Sequence, residues 1–152
     1  MSAMFYKPFS LLIPTILTVV IVGCTSTSKQ TQATDSAPAQ IGIVNHTGNF
    51  IYSASVDGAG GGGMDRWGAG VANICCAKIP RIWYAGMKVR VRWDMPEGHT
   101  HVVKEKVVDV ERYDTTGSIY IHFFPNDEVR VVVTSVVPYN PAHPIKLTEQ
   151  PQ

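Results

Sequence analysis

This chain has no surplus of charge. Its 13 basic residues stand against 12 acidic ones in 152, whereas proteins that hold nucleic acid through its phosphates carry a clear basic excess. A nucleic-acid partner is therefore not expected. The chain also lacks an apolar run long enough to cross a membrane as a helix. The stretch from Phe9 to Val22 is 14 residues, against the roughly 20 that a helical span needs. Catalytic signatures are missing too: there is no Gly-x-Ser-x-Gly elbow and no lone cysteine placed with a partner histidine. No Lys-Ser or Lys-Thr follows the glycine run Gly58 to Gly63, so it is not read as a phosphate cradle. These gaps lead to the expectation of a protein without catalytic chemistry, cofactor or metal. Helical patterning is scarce, and only Pro80 to Gly86 offers a helix start and stop.

What is present begins with enough apolar side chains, 45% against 16% charged, for one domain with a real core. Lys7, the apolar stretch and then Gly23 follow the three-part order of an export signal, and Pro14 is unfriendly to a long helix. Ile21-Val22-Gly23-Cys24 resembles the lipobox of bacterial lipoproteins. The resemblance implies that residues 1–23 are removed, that Cys24 is lipidated, and that the protein is anchored through Cys24 to a bacterial membrane. Without Lys7 the mature chain has 12 residues of each sign. Each acyl methylene buried in lipid contributes about 0.8 kcal/mol, and more than one chain makes such anchoring durable. Thr25, where inner-membrane lipoproteins of enterobacteria have Asp, implies an outer-membrane location facing the periplasm. Residues 25–40, TSTSKQTQATDSAPAQ, cannot form a core, so residues 24–40 read as lipidated cysteine plus flexible tether. Such a tether spans on the order of 20 to 25 Å.

From Ile41 to Pro138 the apolar residues come in short bursts rich in Val, Ile, Tyr and Phe, separated by Gly, Pro, Asn and Asp. This pattern predicts an all-β fold: a single antiparallel, sandwich-like domain of about seven strands. The expected strands run near Ile41 to Thr47, Phe50 to Val56, Val71 to Ile79, Met87 to Asp94, Val102 to Arg112, Ser118 to Phe124 and Glu128 to Val136. The clearest puts Met87, Val89, Val91 and Trp93 on one face and Lys88, Arg90, Arg92 and Asp94 on the other. The basic stripe is expected to pair with Glu105, Asp109 or Glu111 on the next strand rather than serve a phosphate or lipid headgroup. Strands apolar on both faces, as at Ile119 to Phe124, are expected to be central. The proline-rich residues after Val137, with 139–152 as a C-terminal tail, are expected to have an ordered start and a loose end.

Residues 58–93 carry the most distinctive order in the chain. The glycine run reads as a pliable loop needing positive φ or close backbone approach. At its end Asp65, Arg66 and Trp67 offer residue types common in interface anchors. Cys75 and Cys76 admit four readings: buried small hydrophobes, a vicinal disulfide, bonds to another chain, or metal ligands. A vicinal bond would force a tight turn and end the strand locally. His99 and His101, near Glu97 and after the turn signal Pro96-Glu97-Gly98, read as an exposed loop pair rather than a metal site with the cysteines. His46, His122 and His143 are scattered and support no site.

The glycine run, Cys75-Cys76, Pro80, Trp83, the Val-x-Val-x-Trp strand ending at Trp93, Tyr113 and the His122-Phe123 strand together resemble the DUF3304 family of proteobacterial lipoproteins. The match covers most of residues 41–136. Members resemble proteins encoded beside type VI secretion lipase effectors, where envelope lipoproteins serve as immunity proteins. The resemblance therefore implies that the partner is a secreted phospholipase effector, neutralised in the periplasm. The expected contact surface is the loop of Asp65, Arg66 and Trp67 with the loop of Glu97, His99 and His101. The alternative is a structural or accessory lipoprotein of an envelope assembly.

Overall fold

A computed structural model describes residues 35–151. The residues expected to form an export signal, Cys24 and the part of the expected tether up to residue 34 lie outside the described residues. The described chain is all-β, with eight strands: β1 (Ser36–Asn45), β2 (Ile51–Val56), β3 (Ala59–Met64), β4 (Ile74–Pro80), β5 (Lys88–Asp94), β6 (Val103–Asp109), β7 (Ser118–Phe123) and β8 (Val129–Thr134). Among the described residues the one helical element is a 3-10 turn at Pro125–Asp127.

The strands form two four-stranded sheets, ordered β4-β1-β7-β8 and β3-β2-β5-β6, packed face to face. Every pairing is antiparallel except that of β1 with β7. Those two strands are far apart in sequence, so no hairpin dictates their direction. Between the sheets lies one core, built from Ile41, Ile43, Val56, Val91, Trp93, Ile121, Phe123 and Val131 among others. β5 alternates as expected up to Trp93, with Val89, Val91 and Trp93 buried and Lys88, Arg90 and Arg92 exposed, but Asp94, expected on the wet face, is buried. Its basic stripe is partly paired: Lys88 Nζ lies 2.5 Å from Asp109 and Arg90 Nε 3.5 Å from Glu105. Glu111 bonds instead to Arg130.

β7 is buried on both faces because a second layer covers the β4-β1-β7-β8 sheet. Tyr120, Val44 and Val132 point away from the main core and pack with Ile145 of the C-terminal segment. That segment has the ordered start expected, and the order extends to Ile145, beyond which its residues are exposed. His143 and Ile145 are buried, and the Tyr139 hydroxyl donates to the Ala69 carbonyl. Its prolines prevent pairing as a strand, but the sheet beneath offers apolar surface that the segment covers.

Four further expectations are corrected. The glycine run is not a loop: it is β3, joined to β2 by the two-residue turn Asp57-Gly58, in which both residues have positive φ (49° and 84°). β1 starts at Ser36, so the last five residues assigned to the tether belong to a strand, and four of them, Ser36 to Ala39, pair in register with β4. Val71 to Asn73 precede β4 rather than opening it. Pro80 to Gly86 forms no helix; Trp83 instead turns inward and its Nε1 donates to the Val110 carbonyl at 2.9 Å. Nearby, the Tyr113 hydroxyl donates to the Pro80 carbonyl at 2.5 Å, so these aromatics lock one end of the sandwich.

Candidate functional site

The antiparallel order sends four connections, residues 46–50, 65–73, 95–102 and 124–128, to the same end of the sandwich. Asn45, only 2% exposed, organises two of them. Its Oδ1 accepts from the Thr47 amide (3.0 Å) and hydroxyl (2.8 Å), and its Nδ2 donates to the carbonyls of Asn49 (2.7 Å) and Asp65 (3.0 Å). The Trp67 amide adds a bond to the Thr47 carbonyl at 3.0 Å, and Trp67 sits in the left-handed region at φ 54°. Its indole stands over Gly48, where even a Cβ would be in contact at 3.7 Å. Asp65 and Arg66 beside it are exposed, and Trp67 is half-buried.

The other expected loop is a tight reversal. Glu97 and Thr100 exchange backbone bonds of 2.9 and 3.1 Å around Gly98, whose φ is 62°. Glu97, His99 and His101 are exposed. His101 turns back along the sheet, its Nδ1 2.5 Å from Asp94 Oδ2 and its ring edge-on to Tyr52. The two loops proposed from sequence thus lie at one end, although His99 and His101 do not act as a pair. Among the described residues no group of His, Cys, Asp and Glu is arranged to hold a metal ion.

Between the connections 46–50, 95–102 and 124–128 opens a cleft of about 330 Å³. Phe123 and Trp93, with ring centroids 5.5 Å apart, form apolar wall. The Trp93 indole N–H is buried and has no hydrogen-bond partner among the described residues. Around the cleft stand Glu97, Asp127, Glu128 and Lys104, three carboxylates against one ammonium. Lys104 Nζ is held by both Asp127 oxygens, at 2.7 and 2.9 Å. Asn126 and Asp127 are both left-handed, at φ 61° and 56°, so the hairpin that supplies Asp127 is held in a sparsely populated conformation. Sequence reading missed Lys104 and Asp127, because their meeting depends on how β6 lies against the β7–β8 connection.

It also missed a buried row of histidines. Val44 pairs with His122 across the parallel β1–β7 ladder, which brings His46 alongside. His46 Nε2 is 2.9 Å from His122 Nδ1, and His122 Nε2 is 3.1 Å from His143 Nε2. All three rings are at most 2% exposed. Burial pushes each below the ordinary histidine value, His122 down to about 3, with neighbouring His46, His143 and Arg130 adding to the effect at His122.

Cys75 and Cys76 are bonded to each other. Ala39 pairs with Ala77 and Ile41 with Ile74, so Gln40 alone faces both cysteines: the disulfide occupies a β-bulge. A bulge breaks strand alternation, which is how adjacent strand cysteines come together, and it does so without ending β4 as expected. Cys75 is exposed on an edge strand, where bulges discourage pairing with other chains.

The family model described as protein of unknown function (DUF3304) matches residues 44–131, more than half of the chain. The chain belongs to this family. No curated protein and no solved structure matches it. The DUF3304 match runs from the end of β1 into β8, so it includes all four connections of the loop end. It also includes Trp83, Tyr113 and the Cys75-Cys76 bulge, whose contacts here hold the fold together.

Proposed function

We propose that this protein is a lipid-anchored envelope protein that recognises a protein partner with the loop end of its sandwich. The partner in this reading is a phospholipase effector delivered by type VI secretion, which the protein neutralises in the periplasm. Its role is binding, without catalysis of its own. Lipidation at Cys24 would hold it to the membrane, with Thr25 directing it to the outer one.

The observation that carries this reading is directional. The chain leads into the sandwich at Ser36, and β1 runs from there to the opposite end, where the loop of Glu97 to His101 lines the cleft through Glu97 and the loop of Asp65 to Trp67 packs Trp67 against Gly48 of the cleft wall. An anchor at Cys24 therefore leaves those loops facing away from the lipid surface, toward an arriving protein. The chemistry of the cleft supports the partner class. Enzymes that work on anionic phospholipid surfaces dock through basic faces, and three carboxylates around an apolar cleft complement such a face. Covering it blocks docking without touching the active site.

Affinity capture with a form beginning after Cys24, combined with a toxicity assay, tests this. Cells expressing the full chain should survive a phospholipase exported to their periplasm, and the enzyme should be captured. Recovery of peptidoglycan or secretion-apparatus proteins without protection would replace immunity by a scaffolding role.

A further inference from the structure

The histidine row has two ends that fix every proton in it. His143 Nδ1 lies 2.7 Å from the Val136 carbonyl, an acceptor only, so Nδ1 carries the hydrogen and Nε2 accepts. His122 must then donate from Nε2 and accept at Nδ1, and His46 must donate from Nε2 and accept at Nδ1. At that last nitrogen stand the Thr148 hydroxyl (2.8 Å) and backbone amide (3.3 Å), which agrees with the assignment reached from the other end. Three neutral rings thus satisfy all six nitrogens in one direction, from Thr148 to Val136.

The row joins two bodies. His122 belongs to the sheet and His46 follows directly on β1, its amide bonded to the Phe123 carbonyl (2.8 Å), whereas His143 and Thr148 belong to the C-terminal segment that covers Val44, Tyr120 and Val132. We propose that residues 137–148 form an acid-released strap, latched over the outer face of the β4-β1-β7-β8 sheet by the His46–His122–His143 row.

An added proton disrupts the closed row at two of its three accepting nitrogens. On His143 Nε2 it faces the His122 N–H and breaks the bond between strap and sheet. On His122 Nδ1 it faces the His46 N–H. On His46 Nδ1 it faces the Thr148 amide, and only the Thr148 hydroxyl can turn to accept it. The surroundings give no counter-charge. Arg130, opposite His122 in register on β8, is a cation already paired with Glu111. Lys146 adds positive charge beside His143. Tyr120 packs edge-on to His143, Phe124 stacks on His46, and among the described residues no carboxylate bonds to any of the three rings. Opening the strap solvates the rings and lets up to three protons bind, so acidification drives opening more steeply than one proton would. Phe124 is also a wall of the cleft, so the latch adjoins the loop end.

Amide hydrogen exchange on the full chain in detergent, corrected for intrinsic rates, tests this between pH 7.5 and 4.5. The opening constant for residues 142–148 should rise more than tenfold per pH unit below about pH 6.5 while β1 and β7 remain protected. His143→Gln, whose amide can still accept from His122 but does not titrate, should reduce that slope. Thr148→Val, which removes the hydroxyl and keeps the backbone contact, should open the strap several-fold at pH 7. Strap exchange that ignores pH, that rises only together with β7 exchange, or that is unaltered in Thr148→Val overturns the proposal.

Discussion

Val44 and His122 face each other across the parallel β1–β7 pair, and that register makes one hydrogen-bonded row of three histidines far apart in sequence. The row replaces apolar packing with a directional polar seam beneath the C-terminal segment. Because every nitrogen is satisfied, the seam costs little at neutral pH. Its cost appears when protons are added.

Global stability should carry that cost. The three histidines have folded values below the unfolded value of 6.5, so between these limits the unfolded chain binds more protons than the folded one. Stability is therefore complete above about pH 6.5 and falls as pH drops below it. His122 alone, lowered to about 3, contributes a loss of roughly 3 kcal/mol by pH 4.5, at about 1.4 kcal/mol per unit, unless strap opening first solvates the ring. Urea midpoints at pH 7, 5.5 and 4.5 measure this. In His122→Gln the decline over that range should be shallower than in the wild type, although the variant starts less stable.

The glycine strand gives a second prediction. A Cβ at Gly63 would stand 2.6 Å from the Ile51 carbonyl oxygen and 2.7 Å from that of Tyr52, and backbone cannot step aside cheaply. Gly63→Ala should cost about 1 to 3 kcal/mol in urea unfolding, as overpacking does. At Gly62 the obstacle is the Ile74 side-chain end, which can rotate. Gly62→Ala should cost less, and Ile74→Val, which removes the obstructing Cδ1, should restore part of the loss. Equal costs at the two positions would contradict the close approach of β3 to β2.

These glycines also show why one strand was hidden in the sequence while the others were legible. Met87 to Asp94 could be read from alternation, because its side chains divide cleanly between core and water. β3 has almost no side chains to alternate, and its one signal is the Asp57-Gly58 pair, whose positive φ at both residues suits a two-residue hairpin. The loop end was half legible. Trp and Arg after the glycines, and a turn at Pro96 to Gly98, marked the two loops, but their convergence depends on antiparallel strand order. The histidine row was illegible, since it needs the β1–β7 register and a segment whose prolines read as disorder. One trace was present: His122 sits on the second face of a strand apolar on both, and such a face must be covered by something.

The cleft yields the last prediction, which rests on the proposed basic partner. Lys104 occupies Asp127 by an ion pair whose side chains are 34% and 51% exposed, so its loss should change stability by less than about 1 kcal/mol. Lys104→Ala removes the cation that lines the cleft, leaving Lys106 at the Asp127 carbonyl (3.4 Å), and should tighten binding of the phospholipase. Glu97→Ala should weaken it. Replacing Arg66 and Trp67 together by Ala should weaken binding at least tenfold, on the order of 1.4 kcal/mol, if they anchor the contact. Titration calorimetry at two salt concentrations separates these effects. Raising salt should reduce affinity most for Lys104→Ala and least for Glu97→Ala, because screening acts on the charges that remain. A partner whose affinity increases when Glu97 is removed would carry the opposite charge, and the acidic surround of the cleft would then be no part of its recognition.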